Sequence, residues 1–378
     1  MKNDVRISAF SNQYAEEVFL SLEMPEGVEL SRGVNRLKDI YDQTIRDNGL
    51  DHGTEIFLRF RVSDAVNQAN EIANQFHRAK PSFFSVVGQP PASGSKIALE
   101  AYHIKSKTPV EKKMILPGEG VAVKHGDYRS LWLSCRPEFK TTSFEQTHQI
   151  FCQLSDILTQ TGTDLEKSLI RTWLYVRDID NNYQGLVNAR RELFRLMGMH
   201  ERSHYVASTG IGGSGETVSD LVVMDALSII GLEKEQIHYM QALDFLSPTH
   251  AYGVTFERGT RLIFGDRSHF YISGTASIDK DGEIMHYGDV GKQCERTLLN
   301  IEALLKSEGA GLTDLKILIV YLRDIADRKI IQDFCKQHLP LGLPLIVVLG
   351  SVCRPGWVVE MEGVAVNDQG NHAFSPFC

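Results

Sequence analysis

The sequence of 378 residues predicts an α+β fold in which three similar units follow one another along the chain. One order of elements recurs: an amphipathic helix, a glycine-containing turn, an apolar strand, a second helix, and two strands around a glycine-rich turn. Two of the apolar strands end in the same Tyr-x-Arg-Asp-Ile pattern, which begins at Tyr175 and again at Tyr321. Glycines and acids near the end of each unit recur at matched spacing. Such self-similarity is typical of repeat architectures.

The middle of each unit shows the repeat most clearly. The matching stretches are "DNGLDHGTEIFLRFRVSDA", "QTGTDLEKSLIRTWLYVRDI" and "SEGAGLTDLKILIVYLRDI", at residues 47–65, 160–179 and 307–325. The segment 316–322 is apolar on both faces, which predicts a central strand. The helix before it ends at Gly309 as its C-cap, and its apolar residues recur at helical spacing on one side, at Leu298, Ile301, Leu304 and Leu305.

The end of each unit carries a glycine turn and an acid. Twelve residues separate the first glycine from the acid in the first and third units, and the middle unit is longer by three; the acids are Glu100, Asp225 and Glu362. The beginnings of units two and three also align, with serines at one offset, Ser134 and Ser273. A polar, proline-containing segment at 103–120 reads as a linker. We place the units at 1–115, 116–250 and 251–378.

Composition excludes several classes of function. The net charge is −8 and no Lys/Arg run exceeds a short doublet, so nucleic-acid binding is not expected. No apolar run reaches the length of a membrane span, and the first ten residues lack the apolar core of a signal peptide. The six cysteines are scattered, which is typical of reduced thiols in a cytoplasmic protein. The thirteen histidines show no paired metal spacing, so we expect no metal and no cofactor.

The closing strand, "VEMEGVA" after the turn at Gly356, resembles that of the Rid/YjgF superfamily. Members of this superfamily are single α+β units that form trimers with a ligand cleft at each subunit interface. Three fused Rid/YjgF-like (chorismate-mutase-like) units imply an intramolecular pseudo-trimer. Whether it forms further homo-oligomers stays open.

A more specific resemblance, over roughly 120–365, is to the chorismatases, which share this fold. It is carried by "RTWLYVRDI" from Arg171, "STGIGGSG" from Ser208, "FYISGTASI" from Phe270, and the pair Cys353 and Glu360. Chorismatases remove the enolpyruvyl group of chorismate and give pyruvate with a dihydrodiol acid or a hydroxybenzoate. The resemblance implies that Glu360 donates a proton to the enol ether, that arginines hold the substrate carboxylates, and that Cys353 takes part.

Glu360 is our candidate general acid on the repeat comparison as well. Glu362 recurs as an acid in every unit, which indicates an architectural role, whereas Glu360 aligns with Ala98 and Val223. Its apolar neighbours, among them Trp357, predict a raised pKa. The alternative is the polar face of an ordinary strand.

Further residues are candidates for contact with the substrate. For Cys353, the neighbouring Arg354 is expected to lower the thiol pKa, and the alternative is an inert thiol. Arg171 and Tyr175 lie four apart on a strand and share a face, and the resemblance gives them carboxylate and hydroxyl contacts. Alternatively, these residues are structural.

Two glycine-containing stretches complete the candidate site. Thr209 and Gly210 offer a backbone amide cradle for a carboxylate. The stretch "GIGGSG" is not a dinucleotide fingerprint, because an alternating strand pattern follows it instead of a helix. The resemblance places Gly274, Thr275 and Ala276 beside the substrate, although small residues are also common at strand ends.

Three functions stay open. The first is a chorismatase-like enzyme, a hydrolase or lyase on a small carboxylate. The second is a Rid-type enamine/imine deaminase, which is disfavoured because the carboxylate-binding arginine is absent after Pro81 and Pro344. The third is a non-catalytic protein that binds a small ligand, since a fold does not fix a function.

Overall fold

The computed structural model describes residues 4–76, 81–108, 110–115, 120–138, 141–200, 203–249 and 254–378, and it contains three sheets. The first sheet has the strand order β1-β2-β5-β3-β4, with two helices packed on one face. Its elements are β1 (Asp4–Ser11), β2 (Ala15–Glu23), α1 (Leu30–Asp47), β3 (Glu55–Val62), α2 (Ala65–Gln75), β4 (Phe83–Gly88) and β5 (Ile97–Ser106).

The second sheet repeats this plan and adds one strand, in the order β10-β9-β11-β8-β7-β6. Its elements are β6 (Glu111–Ile115), β7 (Gly120–His125), β8 (Tyr128–Cys135), α3 (Ser143–Gln160), α4 (Leu165–Ser168), β9 (Leu169–Val176), α5 (Ile179–Leu196), β10 (Ala207–Gly212) and β11 (Val222–Ile230). Part of the segment expected to be a linker is therefore the edge strand β6.

The third sheet has the order β12-β13-β14-β17-β15-β16. Its elements are β12 (Ile237–Tyr239), β13 (Gly259–Ile263), β14 (Ser268–Ala276), α6 (Val290–Ser307), β15 (Leu315–Leu322), α7 (Arg328–His338), β16 (Leu345–Leu349) and β17 (Val359–Asn367). The strands β6 and β12 precede the predicted boundaries near 115 and 250, and each joins the sheet of the unit that follows.

The repeat prediction is confirmed by the strand pairing. In every unit a parallel pair at one edge, β3–β4, β9–β10 or β15–β16, is joined by a crossover helix, and the remaining neighbours are antiparallel. The strand β15 is central and buried, as its apolar sequence predicts. The apolar side of α6 is buried too, and the helix ends before Gly309, whose φ of 76° is the left-handed conformation that glycine adopts without strain.

The three units close into a ring. The end of the parallel edge strand of each unit meets the glycine-rich turn of another through backbone hydrogen bonds. Gly88 and Ser214 exchange two of them (2.9 and 3.1 Å), Gly212 donates one to Ser351 (2.8 Å), and Leu349 donates one to Pro90 (2.8 Å). The same contact made three times in one chain is the intramolecular pseudo-trimer that the sequence predicts.

The recurring acids meet at the centre of this ring. Arg59 lies 3.0 Å from Asp225 and 3.4 Å from Glu100, so it joins the first two units. Arg171 lies 2.6 Å from Glu362 and joins the second to the third. All five side chains are buried. Buried charges are tolerated only when they are paired, so these acids hold the units together, as their recurrence indicates.

Candidate functional site

A pocket between the second and third units contains most of the predicted site. The second unit contributes α5 and β10, and the third contributes β14, the start of β17 and the turn before it. With its open mouth the pocket has a volume of about 570 Å³, a size typical of small-molecule sites. Six predicted residues line it: Gly210, Gly274, Ala276, Cys353, Arg354 and Glu360.

Glu360 enters the pocket from β17, where it is paired with Ala276 on β14 and is only 5% exposed. The pairing of β14 with β17 shifts register between Ile272 and Thr275, a β-bulge of the kind that often re-aims a side chain. Gly274 lies in this bulge, and a Cβ built there would come within 2.1 Å of the Glu360 carboxyl. The space that Glu360 occupies therefore exists because residue 274 is glycine.

The surroundings of Glu360 favour its neutral form. Burial raises its pKa most, the nearby carboxylate of Glu362 raises it further, and Arg171 and Arg258 lower it; the result is a pKa of about 8. Within the part of the chain that the structure describes, no hydrogen bond to this carboxyl contributes to its pKa. Desolvation is thus the dominant cause, as the apolar sequence around it predicts, and Glu360 carries its proton at neutral pH.

Cys353 lies in the pocket wall beside the hydroxyl of Tyr183. Burial and the negative charge of Glu360 raise the pKa of the thiol to about 12, although Tyr183 and Arg354 act in the opposite direction. Arg354 lowers the pKa of the Cys353 thiol, as expected, but desolvation outweighs the neighbouring cation and the net shift is upward. Arg354 instead lies over the ring of Trp357, with 4.8 Å from its guanidinium carbon to the ring centroid.

Arg190 is a site residue that the sequence interpretation missed. It reaches the pocket from α5, is 2% exposed, and donates hydrogen bonds to Thr255 (3.0 Å) and Ser208 (3.1 Å). Among the described residues no carboxylate lies within ion-pair distance of it, and burial lowers its pKa. The sequence pattern could have indicated that Arg190 is buried, because it stands four residues from both Leu186 and Phe194 on the apolar side of an amphipathic helix.

Arg258 is the second cation that was missed. It precedes β13, is 6% exposed, and donates to the backbone oxygen of Ser247 at 2.9 Å. It lines the pocket and lowers the pKa of Glu360 through its charge. The stretch around Arg258 carries none of the motifs that predict the other site residues.

Four predicted residues lie outside the pocket. Arg171 and Tyr175 share a face of β9, as expected, but that face points to the charged centre of the ring. The hydroxyl of Tyr175 is buried there, with no hydrogen-bond partner among the described residues. Thr275 is buried and bonds to the backbone oxygen of Ser273. Thr209 lies behind the pocket.

Thr209 connects the charged centre to the bulge that shapes the pocket. Its hydroxyl accepts a hydrogen bond from Arg171 at 2.6 Å and one from the backbone N–H of Gly274 at 2.9 Å. It also bonds to Glu362. Thr209 and Arg171 therefore hold the strand segments on which Glu360 depends, without lining the pocket themselves.

The described residues contain no group of three or more His, Cys, Asp or Glu side chains that could hold a metal ion. A search of the described helices likewise finds none with the length and apolar character that crossing a membrane requires.

Comparisons with known proteins agree with this architecture. Residues 264–367 match the family model described as endoribonuclease L-PSP. A 3-hydroxybenzoate synthase from Streptomyces hygroscopicus is 26% identical over 243 residues, which cover 59% of this chain and 69% of the relative. A chorismatase from Streptomyces rapamycinicus is 27% identical over 241 residues, 58% of this chain and 69% of the relative.

Two further comparisons concern the whole fold and a single unit. A solved chorismatase structure covers 83% of this chain and 93% of its own, with a TM-score of 0.65 and 21% identity, which shows a shared fold. The 3-aminoacrylate deaminase RutC from Acinetobacter baylyi is 30% identical over 97 residues, which cover 25% of this chain and 76% of the relative. With a single-unit relative matched over most of its length and three such units in one ring, the chain belongs to the Rid/YjgF superfamily.

Proposed function

We propose that this protein is a chorismatase-like enzyme that cleaves the enolpyruvyl ether of chorismate or a related small carboxylate, with Glu360 as the general acid. One observation carries the proposal: a neutral, buried carboxyl and a buried arginine without a carboxylate partner among the described residues line the same pocket. The similarity to enzymes named chorismatase and 3-hydroxybenzoate synthase supports the choice of substrate class.

The chemistry requires a proton on carbon. Glu360 gives its proton to the methylene carbon of the enol ether, and the adjacent ether carbon becomes an oxocarbenium ion. A hydroxyl from water adds to that carbon, the water's remaining proton is released, and the hemiketal collapses to pyruvate and the ring alcohol. A carboxyl with a pKa of about 8 holds its proton at neutral pH, whereas one with the ordinary value of 4.5 would have lost it.

Arg190 supplies the electrostatic partner for a substrate carboxylate. A buried guanidinium pays a desolvation cost that an anion can offset, and its planar donors suit a carboxylate. Arg258, on the same pocket, stabilises the carboxylate that Glu360 becomes after it gives up its proton. Gly210 leaves room for the ring of Tyr183, which a Cβ there would approach to 3.1 Å.

The test follows chorismate loss and pyruvate release by the purified protein. Glu360→Gln removes the proton and keeps the shape, so we expect turnover to fall by at least about 100-fold. Arg190→Ala should raise KM by at least about tenfold, since a charge-assisted hydrogen bond is lost. Arg191→Ala, on the exposed side of the same helix, is the matched control and should change neither value. No pyruvate from the unmodified protein, or equal pyruvate from the Glu360→Gln variant, would refute the proposal.

One observation favours a second candidate, the similarity of one unit to an enzyme named 3-aminoacrylate deaminase. Release of ammonia from freshly generated 2-aminoacrylate, without pyruvate release from chorismate, would select this function instead. Ligand-induced thermal stabilisation without turnover of either compound would indicate a binding protein.

A further inference from the structure

A larger cavity lies between the third and first units. Helix α7, the loop after it and β16 form one wall, and Arg6, Glu23 and Ser93 form the other. With its open mouth this cavity has a volume of about 1380 Å³, against about 570 Å³ for the candidate active site measured in the same way. It takes no part in the chemistry proposed above.

The strand register shows that this cavity repeats the position of the candidate active site. In the third unit Glu360 is paired with Ala276, and in the first unit the matching residues are Ala98 and Glu23. Glu23 therefore lines this cavity from the position that Ala276 holds in the other pocket. The acid has no counterpart, because Ala98 stands in the place of Glu360.

The two positions that carry a cation beside the candidate active site also carry a cation beside this cavity. Arg190 lies fifteen residues after Tyr175, and Lys336 lies fifteen residues after Tyr321, the equivalent tyrosine of the next unit. Each cation is on the crossover helix that follows its strand, and each lines its own cavity.

The second cation is kept in the same way. Arg258 directly precedes Gly259, which pairs with Ile272. Arg6 directly precedes Ile7, which pairs with Leu20, the residue that matches Ile272 in the first unit. Two cations thus recur at matched positions around a cavity from which the acid has been lost.

The rest of the lining is apolar on one side and polar on the other. Leu341 is fully exposed at the loop, and Leu345 and Val347 continue the apolar wall. On the opposite wall the Ser93 hydroxyl donates a hydrogen bond to Glu23. Arg6 and Glu23 lie diagonally on one face of β1 and β2, and Lys336 lies 4.0 Å from Asp333 of its own helix. Both side chains of the Lys336–Asp333 pair are exposed, and such a pair is weak, so Lys336 still attracts an anion in the cavity.

We propose that this cavity binds a small carboxylate with an apolar body and does not convert it. The carboxylate lies against Arg6 and Lys336, and the apolar body lies on the leucine wall. Lys336 is 74% exposed, and the cavity is wide, so the site binds more weakly than the pocket with the buried Arg190.

The test uses 4-fluorobenzoate and fluorine NMR on the full chain. Arg190→Ala weakens the first pocket, so saturable binding that remains reports on this cavity. Adding Arg6→Ala should weaken the remaining binding by at least about tenfold, and adding Lys336→Ala should weaken it severalfold. Lys329→Ala, an exposed residue of the same helix that does not line the cavity, is the matched control and should change nothing.

Two results would overturn the proposal. One is the absence of saturable binding by the Arg190→Ala protein, and the other is remaining binding that Arg6→Ala leaves unchanged. Arg6→Lys, which keeps the charge, separates loss of the site from loss of folding, because it should retain more affinity than Arg6→Ala. The outcome is independent of chorismate turnover, so the two proposals fail separately.

Discussion

Replacing Glu360 by glutamine should change how the stability of the protein depends on pH. The folded pKa of about 8 lies above the ordinary value of 4.5, so between these values the folded state holds one proton that the unfolded state has lost. The favourable contribution is complete below about pH 4.5 and disappears as pH rises through about 8. The slope is a loss of about 1.4 kcal/mol in the free energy of unfolding per pH unit.

The effect is large enough to measure by urea unfolding. From pH 5.5 to 7.5 the native protein should lose about 2–3 kcal/mol relative to the Glu360→Gln variant, which has no proton to lose at this site. Glu283→Gln makes the same change at an exposed position and should follow the native protein. Parallel pH curves for the native protein and the Glu360→Gln variant would refute the reasoning, because they would show that residue 360 is ionised across this range.

Three further predictions concern the support of the site. Gly274→Ala should displace the Glu360 carboxyl and reduce pyruvate release by at least about tenfold with the fold retained, checked by turnover and circular dichroism; full activity would show that the 2.1 Å approach is relieved elsewhere. Arg171→Met leaves Glu362 without its 2.6 Å ion pair and should cost about 3 kcal/mol in urea unfolding, and an unchanged midpoint would contradict the role given to the charged centre. Cys353 should react with iodoacetamide about 1000-fold more slowly than an ordinary thiol at neutral pH, and rapid alkylation located by mass spectrometry would contradict its raised pKa.

The three-unit fold could be predicted from the sequence because the repeat consists of features that depend on local sequence alone. Strand alternation, amphipathic helices and glycine turns recur at fixed spacing, and the recurring acids Glu100, Asp225 and Glu362 pointed to a shared structural role. The edge strand β6 escaped notice, because its sequence "EKKMI" is polar on an exposed edge and looks like a linker. The local sequence does not distinguish such a strand from a linker, because the segment becomes a strand only by pairing with β7.

The site could be predicted only in part, because contacts between units decide it. Glu360 could be chosen from its failure to recur, and its raised pKa followed from its apolar neighbours. Arg171 and Tyr175 share a face with the right chemistry, but strand alternation cannot tell whether that face points to the pocket or to the charged centre. Arg190 comes from a helix of the neighbouring unit, and only the packing of β10 of that unit against β14 brings it to the pocket of Glu360.

Fusion of the three units allows the proposed chemistry to lie in one cleft and not in three. At the centre of the ring Asp225 pairs with Arg59 of the first unit and Glu362 pairs with Arg171 of the second, so acids at this position serve the contacts between units. Two residues earlier on the same strand face the three copies differ as Ala98, Val223 and Glu360, and Glu360 lines the candidate active site. A trimer of identical chains would repeat any change there three times, whereas a fused chain can place an acid in one cleft and leave another to binding. Residue 362 therefore serves the contact between units, whereas residue 360 serves a single cleft, and the proposed chemistry lies at residue 360.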